Sequence, residues 1–189
     1  MAALSAGSLL GCELFATRNP ETPEGGGNGG WSFPRAPEQV VTNVEDAVGR
    51  RSSVDWMRSL TSSDAGLDSF VFVADPSAAA DHPALFDNWG WEREMTFTQA
   101  LFSDATLPLD SISQLEITPE PVTTVGDTAW FRGQYQIHLG HRRDPAPRQM
   151  SGQWEWILRR GSDGGWYVDI WKDFRGGIEP CWSDLKAQF

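Results

Sequence analysis

Few side chains in this sequence are spaced for chemistry, and each has a quieter reading beside the active one. Tyr135 is the only phenol on the apolar face of its segment, and a buried phenol usually settles on a hydrogen-bond partner. Asp169 and Asp173 alternate with Tyr167 and Trp171, while Trp166, Val168 and Ile170 form the opposite, core-facing row. Both aspartates are therefore expected to face solvent. His138, His141 and Asp144 lie close together, but two histidines three apart at a strand end do not oppose each other as ligands, so no metal is expected. Cys181 has no obvious histidine partner and reads as a small buried hydrophobe. Arg142, Arg143 and Arg148 sit in His141-Arg-Arg-Asp-Pro-Ala-Pro-Arg148, either a solvated loop tip or a seat for an acidic partner or phosphate-bearing ligand. Glu92, Arg93 and Glu94 beside Trp89 and Trp91 either open a pocket or start a helix, where acids favour the macrodipole. No CxxC, HExxH, GxGxxG or Walker pattern occurs, and no cofactor is expected.

The N-terminus carries a different kind of chemistry. Leu9-Leu10-Gly11-Cys12 resembles a bacterial lipobox, in which the segment before the cysteine is removed and the thiol takes a lipid. On that reading residues 1–11 are a signal segment, and residues 12–36 are the lipidated cysteine and a flexible linker through Gly25-Gly-Gly-Asn-Gly-Gly30. A Gly-rich coil of roughly 25 residues reaches about 25–30 Å, enough to hold a domain clear of lipid head groups. Trp31 and Phe33 are either the first residues to touch the domain or exposed linker aromatics. The expected location is the bacterial cell envelope, lipid-anchored through Cys12, facing the periplasm or the exterior. With Cys12 acylated, Cys181 has no internal partner; a free Cys12 could instead bridge to it.

Composition narrows the partners. A net charge of −11 argues against nucleic acid, which needs clustered Lys and Arg on its phosphates. It also disfavours adhesion to anionic lipid by charge alone. No later run approaches the length of a membrane-spanning helix. Residues 37–189 suit a single domain with a real core. Ten Trp and ten Phe against two Tyr read either as a core of large side chains or as a pocket with aromatic walls.

The elements that position these residues change period once. Val40, Val41, Val44, Ala47 and Val48 follow Pro37 on one helical face that ends at Gly49. Ser52 or Ser53 can cap a short second helix bearing Trp56, Met57 and Leu60. Ser69–Ala74 reads as a strand closed by Asp75-Pro76, an irregular Ala-rich stretch follows, and a third helix is predicted from Glu92 to Ser103. Beyond Leu109 the alternation has period 2. Phe131, Tyr135, Ile137 and Leu139 share one face; Met150, Gly152, Trp154, Trp156 and Leu158 share the next; and Trp166–Phe174 is the last strand. Helices followed by an antiparallel meander with one apolar face predict an α+β fold.

Gly126-Asp-Thr-Ala-Trp130 with Gly133-Gln-Tyr135, Gly152-Gln-Trp-Glu-Trp156, and Gly164-Gly-Trp-Tyr-Val168 with Ile170-Trp-Lys-Asp173 resemble the strand signatures of a known family. It is the nuclear-transport-factor-two-like cone, also called SnoaL-like or ketosteroid-isomerase-like. The chain is similar, over about residues 37–185, to small bacterial lipoproteins of this superfamily. The resemblance implies a curved antiparallel sheet on N-terminal helices with a pocket between. It implies Trp56, Phe72, Trp91, Phe97, Phe131, Tyr135, Trp154 and Trp156 as pocket walls. An isomerase of this fold would need a carboxylate base and an oxyanion donor, for which Asp169, Asp173 and Tyr135 are the candidates. A dehydratase would use His with Asp, but His82 and His138 are poorly placed, and Asp169 with Asp173-Phe-Arg175 is too loose for an epoxide hydrolase. Three functions are therefore expected as alternatives. One is a non-catalytic tethered domain binding an apolar or aromatic small molecule or an envelope protein. Another is a cofactor-independent isomerase, dehydratase or hydrolase. The third is assembly as a homodimer through the sheet.

Overall fold

The structure, a computed structural model, describes residues 30–108 and 110–189. The expected signal segment, Cys12 and the linker up to residue 29 lie outside the described residues. Helix α1 (Pro37–Arg50) starts on a proline, whose missing N–H costs nothing in a first turn, and is closed by Arg51 in the left-handed region at φ 54°, ψ 43°. The Arg51 guanidinium then binds Pro108 O at 2.8 Å and Ser113 Oγ at 3.0 Å, fastening the helix end to the sheet. Helix α2 (Ser53–Met57) has Ser52 as its cap, the hydroxyl accepting from Asp55 N–H at 3.2 Å. After β1 (Val71–Val73) comes α3 (Pro76–Asp81), a helix within the stretch expected to be irregular. Its signal was present: Asp75 caps Ser77 and Ala78 N–H groups, and Pro76 takes the first position. Helix α4 (Trp91–Phe102) falls within a residue of expectation.

Strands β2 (Ser113–Pro119), β3 (Thr123–Val125), β4 (Thr128–Leu139), β5 (Gln149–Arg160) and β6 (Trp166–Arg175) follow, and a short helix α5 (Trp182–Lys186) completes the described elements. The sheet runs β1-β6-β5-β4-β2 with β3 also on β4; β1 is parallel to β6 and the other pairs are antiparallel. This is the α+β cone expected from the sequence. The helices pack on the apolar face, and Val44, Trp56, Phe131, Ile137, Trp154 and Trp156 are all buried, as the strand registers predicted. Among the described residues no helix is long and apolar enough to cross a membrane.

Two local features depart from the sequence pattern. Residues 32–34, assigned on sequence to the linker, pair with the fold: Ser32 and Asn43 exchange hydrogen bonds of 3.0 and 2.7 Å, and Pro34 O accepts from Trp166 N–H at 2.9 Å. In β6 the register passes from Ile157↔Ile170 to Leu158↔Val168, so Asp169 is an inserted bulge residue. One extra residue exchanges the two faces of everything beyond it. Trp171 and Asp173 therefore turn inward, at 0% and 1% exposure, and the expectation that Asp173 faces solvent is corrected.

Candidate functional site

The bulge sends one carboxylate into the centre of the cone. Asp173 Oδ1 accepts from Tyr135 Oη at 2.8 Å and from Trp154 Nε1 at 3.1 Å; Oδ2 accepts from Ser183 N–H at 2.7 Å and Ser183 Oγ at 2.6 Å. The Tyr135 oxygen in turn accepts from Trp182 N–H at 2.8 Å. Tyr135 can lie there because β5 carries glycine opposite it: a Cβ on Gly152 would stand 2.7 Å from Tyr135 Oη and 2.4 Å from Phe174 O. Burial raises the Asp173 pKa above the usual carboxylate value, with the Ser183 and Tyr135 hydrogen bonds opposing it. Burial, and then the charge of Asp173, raises the Tyr135 phenol in the same direction. A general base needs a free lone pair, and two donors on each oxygen fill the capacity of a carboxylate. Chemically the cluster is an anchor: it seizes the first turn of α5 by its N–H groups.

The same helix delivers a cation. Lys186, 1% exposed, pairs with the fully buried Glu94 of α4. Its Nζ lies 4.3 Å from the Phe72 and Phe97 ring centres, 4.5 Å from Trp89 and 5.7 Å from Trp182. Glu94 also takes the indole N–H groups of Trp56 at 3.1 Å and Trp89 at 2.7 Å. An ammonium ringed by aromatic faces gains from each ring quadrupole. Burial nonetheless lowers the Lys186 pKa to about 8, against the pull of Glu94. Neither Lys186 nor Ser183 was recognised from the sequence, and Glu94 was read only as a helix-start or pocket-mouth acid. The available signal was faint: an Asp three residues after Cys181, whose carboxylate accepts from the Cys181 N–H at 2.7 Å.

The aromatic residues expected to wall a pocket mostly fill it. Tyr135 stacks on Trp154 with ring centres 4.2 Å apart, Phe131 packs on Trp156 at 4.5 Å and Trp56 stacks on Trp171 at 5.3 Å. Trp56, Phe72, Phe131, Trp154 and Trp156 border none of the five best-formed clefts among the described residues. Tyr135 borders a polar cleft on the sheet beside Gly152 and Arg175, and Phe97 a small one beside Lys186 and Phe189. Trp91 alone of the set borders a sizeable aromatic cleft, of about 600 Å³, between α2, α4 and the β5–β6 turn. Trp31, Met57, Leu60, Met95 and Tyr167 line it too, with Asp64, Asp163 and Arg58 among its polar residues. Trp31 thus reaches the domain, as does Phe33, whose ring lies against Gly165 in the β5–β6 turn.

The remaining candidates are dispersed. Asp169 stands on the outer face, its Oδ2 3.3 Å from Arg159 Nε. His138 is exposed on β4, whereas His141 is buried and its Nε2 lies 2.9 Å from Pro147 O, so the two share no site. No group of three His, Cys, Asp or Glu suited to a metal occurs among the described residues. Cys181 is buried, and burial pushes its thiol pKa well up, away from nucleophilic reactivity. In the basic tip Arg143 is already engaged, 3.2 Å from Asp104 and over the Phe189 ring at 4.3 Å, while Arg142 and Arg148 are exposed.

Comparison with known proteins separates fold from sequence. No protein-family profile matches the chain, and no curated protein sequence matches it. Solved structures do. A conserved protein from Planctomyces limnophilus superposes with a TM-score of 0.55 at 19% identity, covering 72% of this chain and 91% of that one. A candidate dehydratase of the nuclear-transport-factor-two-like family from Streptomyces avermitilis gives 0.54 at 14%, covering 75% and 94%. A ketosteroid isomerase-like protein from Erwinia carotovora atroseptica gives 0.51 at 15%, covering 74% and 93%.

Proposed function

We propose that this nuclear-transport-factor-two-like cone is a non-catalytic binding domain, tethered by a lipid on Cys12 to the bacterial envelope, that takes up an apolar or aromatic small molecule. The fold alone carries no activity, because one scaffold hosts many functions. The observation behind the reading is the state of Asp173: both of its oxygens are occupied by donors of the chain itself, and α5 covers it. A reaction at that carboxylate would first require α5 to leave.

A ligand is then seated at the surface, in the cleft between Trp31 and Trp91, where Met57, Leu60, Met95 and Tyr167 give an apolar lining and Asp64 and Asp163 polar groups. A cleft of about 600 Å³ has the size of a small-molecule site. The test is titration of the protein with Nile red, an apolar aromatic dye, followed by fluorescence. Saturable binding is expected, and Trp91→Ala should weaken it about tenfold, the scale of one lost aromatic contact. Absence of saturable binding, or binding indifferent to Trp91→Ala, removes the cleft as the site. The tether is tested separately. The full-length protein expressed in a bacterial host should incorporate labelled palmitate and pellet with membranes, and Cys12→Ser should abolish both. A wild-type protein that stays unlabelled and soluble refutes the anchor.

A further inference from the structure

Five of the chain's eight glutamines stand on one face of three adjacent strands. Cross-strand partners share a face, so the registers set them in rows. Gln114, His138 and Gln149 form the first row, and Glu116, Gln136 and Ser151 the second. Thr118, Gln134 and Gln153 form the third, which the half-buried Phe174 of β6 extends. The face is the outer one, since the intervening Tyr135, Ile137 and Met150 are buried. From the first row to the third is about 13 Å along the strands. These rows floor a trough. Beyond β6 the chain passes through Gly176 and Gly177 and returns to β5, where Pro180 O accepts from Ser151 N–H at 3.0 Å. Two clefts, of about 420 and 600 Å³, lie there and run together, since Glu116, Gln136, Ser151 and Glu179 border both.

The side chains of the trough say what fits it. An anionic ligand would meet the carboxylates of Glu116 and Glu179, and Arg175 at the wall is already paired to Asp184 at 2.8 Å. An amide offers a carbonyl acceptor and two N–H donors. Rows of uncharged amides, with the hydroxyls of Thr118 and Ser151, therefore suit a neutral ligand that carries many donors and acceptors of its own. The hydroxyls and acetamides of an amino-sugar chain supply both. Gln134 and Gln153, cross-strand neighbours, can take the N–H and C=O of one acetamide between them. Phe174 gives an apolar wall for the C–H face of a sugar ring. A peptide laid on a sheet instead gains its affinity at a free strand edge, and β4 and β5 are paired on both sides.

We propose that this trough binds a neutral glycan of N-acetylated amino sugars, extended along β4 and β5. It shares no lining residue with the cleft between Trp31 and Trp91, so the two sites stand or fall separately.

Isothermal titration of the full-length chain carrying Cys12→Ser, which avoids detergent, tests the site with triacetylchitotriose as the probe. Cellotriose, with the same linkage and no acetamide, and N-acetyltriglycine amide, with amides and no sugar, are the comparisons. Saturable one-to-one binding of the acetylated trimer is expected, with cellotriose weaker by about fivefold or more and the peptide without effect. Gln136→Ala and Gln153→Ala should each weaken binding about fivefold, the scale of one or two lost hydrogen bonds. Trp91→Ala, in the other cleft, should leave it unchanged. Circular dichroism and thermal melting confirm that each variant is folded; should either glutamine variant fail, the exposed Gln134→Ala replaces it. Absence of binding at millimolar sugar overturns the proposal. So does binding that is indifferent to the glutamines, is lost with Trp91→Ala, takes cellotriose equally well or prefers the peptide.

Discussion

Asp173→Asn should destabilise the protein by about 3–4 kcal/mol, a fall in melting temperature of roughly 10 °C for a chain of this size. The change is nearly isosteric, so packing is preserved and only hydrogen-bond polarity is altered. The carboxylate accepts from four donors, two on each oxygen. An amide has one accepting end. With its NH2 toward Ser183 it faces a backbone N–H; turned over, it faces the Trp154 indole N–H. Either way a buried donor loses its acceptor, at about 1–3 kcal/mol for each group. The pH dependence carries a matching signature. Because the folded Asp173 pKa is raised, the native state holds a proton that the unfolded chain has released above about 3.8. This group's contribution to stability is thus fully present below that pH and is lost as pH rises through the folded value. Asp173→Asn should remove that slope. A variant as stable as wild type in urea melts, with the slope unchanged, would show that the anchor is not ionic.

Glu94 and Lys186 should behave as a pair. Lys186→Met leaves a buried carboxylate without its cation, and Glu94→Gln leaves an ammonium without its anion. Each should lose about 3–5 kcal/mol, because breaking a buried ion pair strands a charge. The double variant carries neither charge, keeps the aromatic packing, and should recover more than half of the larger single loss. Chemical denaturation of the four proteins measures the coupling directly; additive losses would mean that the pair does not interact. Lys186 also predicts a rise in stability with pH. Its folded pKa of about 8 lies below the ordinary value of 10.5, so between them the unfolded chain binds the extra proton. Stability contributed by this group therefore increases across that window, and Lys186→Met should abolish the increase.

The contrast between these two clusters and the rest of the fold shows what was readable. Helix α1 and strands β4 and β5 carry their side-chain period in a dozen or so consecutive residues, and their buried faces followed from it. The family resemblance rested on motifs in β4, β5 and β6, and the cone was read correctly. What escaped was non-periodic. The bulge in β6 is a single inserted residue between two regular runs, and it reversed the reading of Asp173. Helix α5 is five residues long, too short to show a period, yet it brings Ser183 and Lys186 to partners at the heart of the molecule. Trp56, Trp154 and Trp156 were expected both in the core and as pocket walls, because composition cannot tell an aromatic that lines a void from one that fills it. Only the distances between the rings do.

The parallel pairing of β1 with β6 sets a kinetic order on assembly. Strands β4, β5 and β6 follow one another through short connections and can zip together as neighbours. Strand β1 reaches β6 from far upstream; the hydrogen bond from Arg175 N–H to Asp75 spans 100 positions and that from Asp75 N–H to Ser183 spans 108. Closing such loops costs entropy before any contact rewards it. The meander should therefore form the nucleus, with φ-values well above those of β1 and α3, which join late. Until they do, the edge of β6 and the side of the Trp171 ring that Phe72 of β1 covers stand open to water. The slowest step in making this protein is then also the one during which it is most exposed to aggregation.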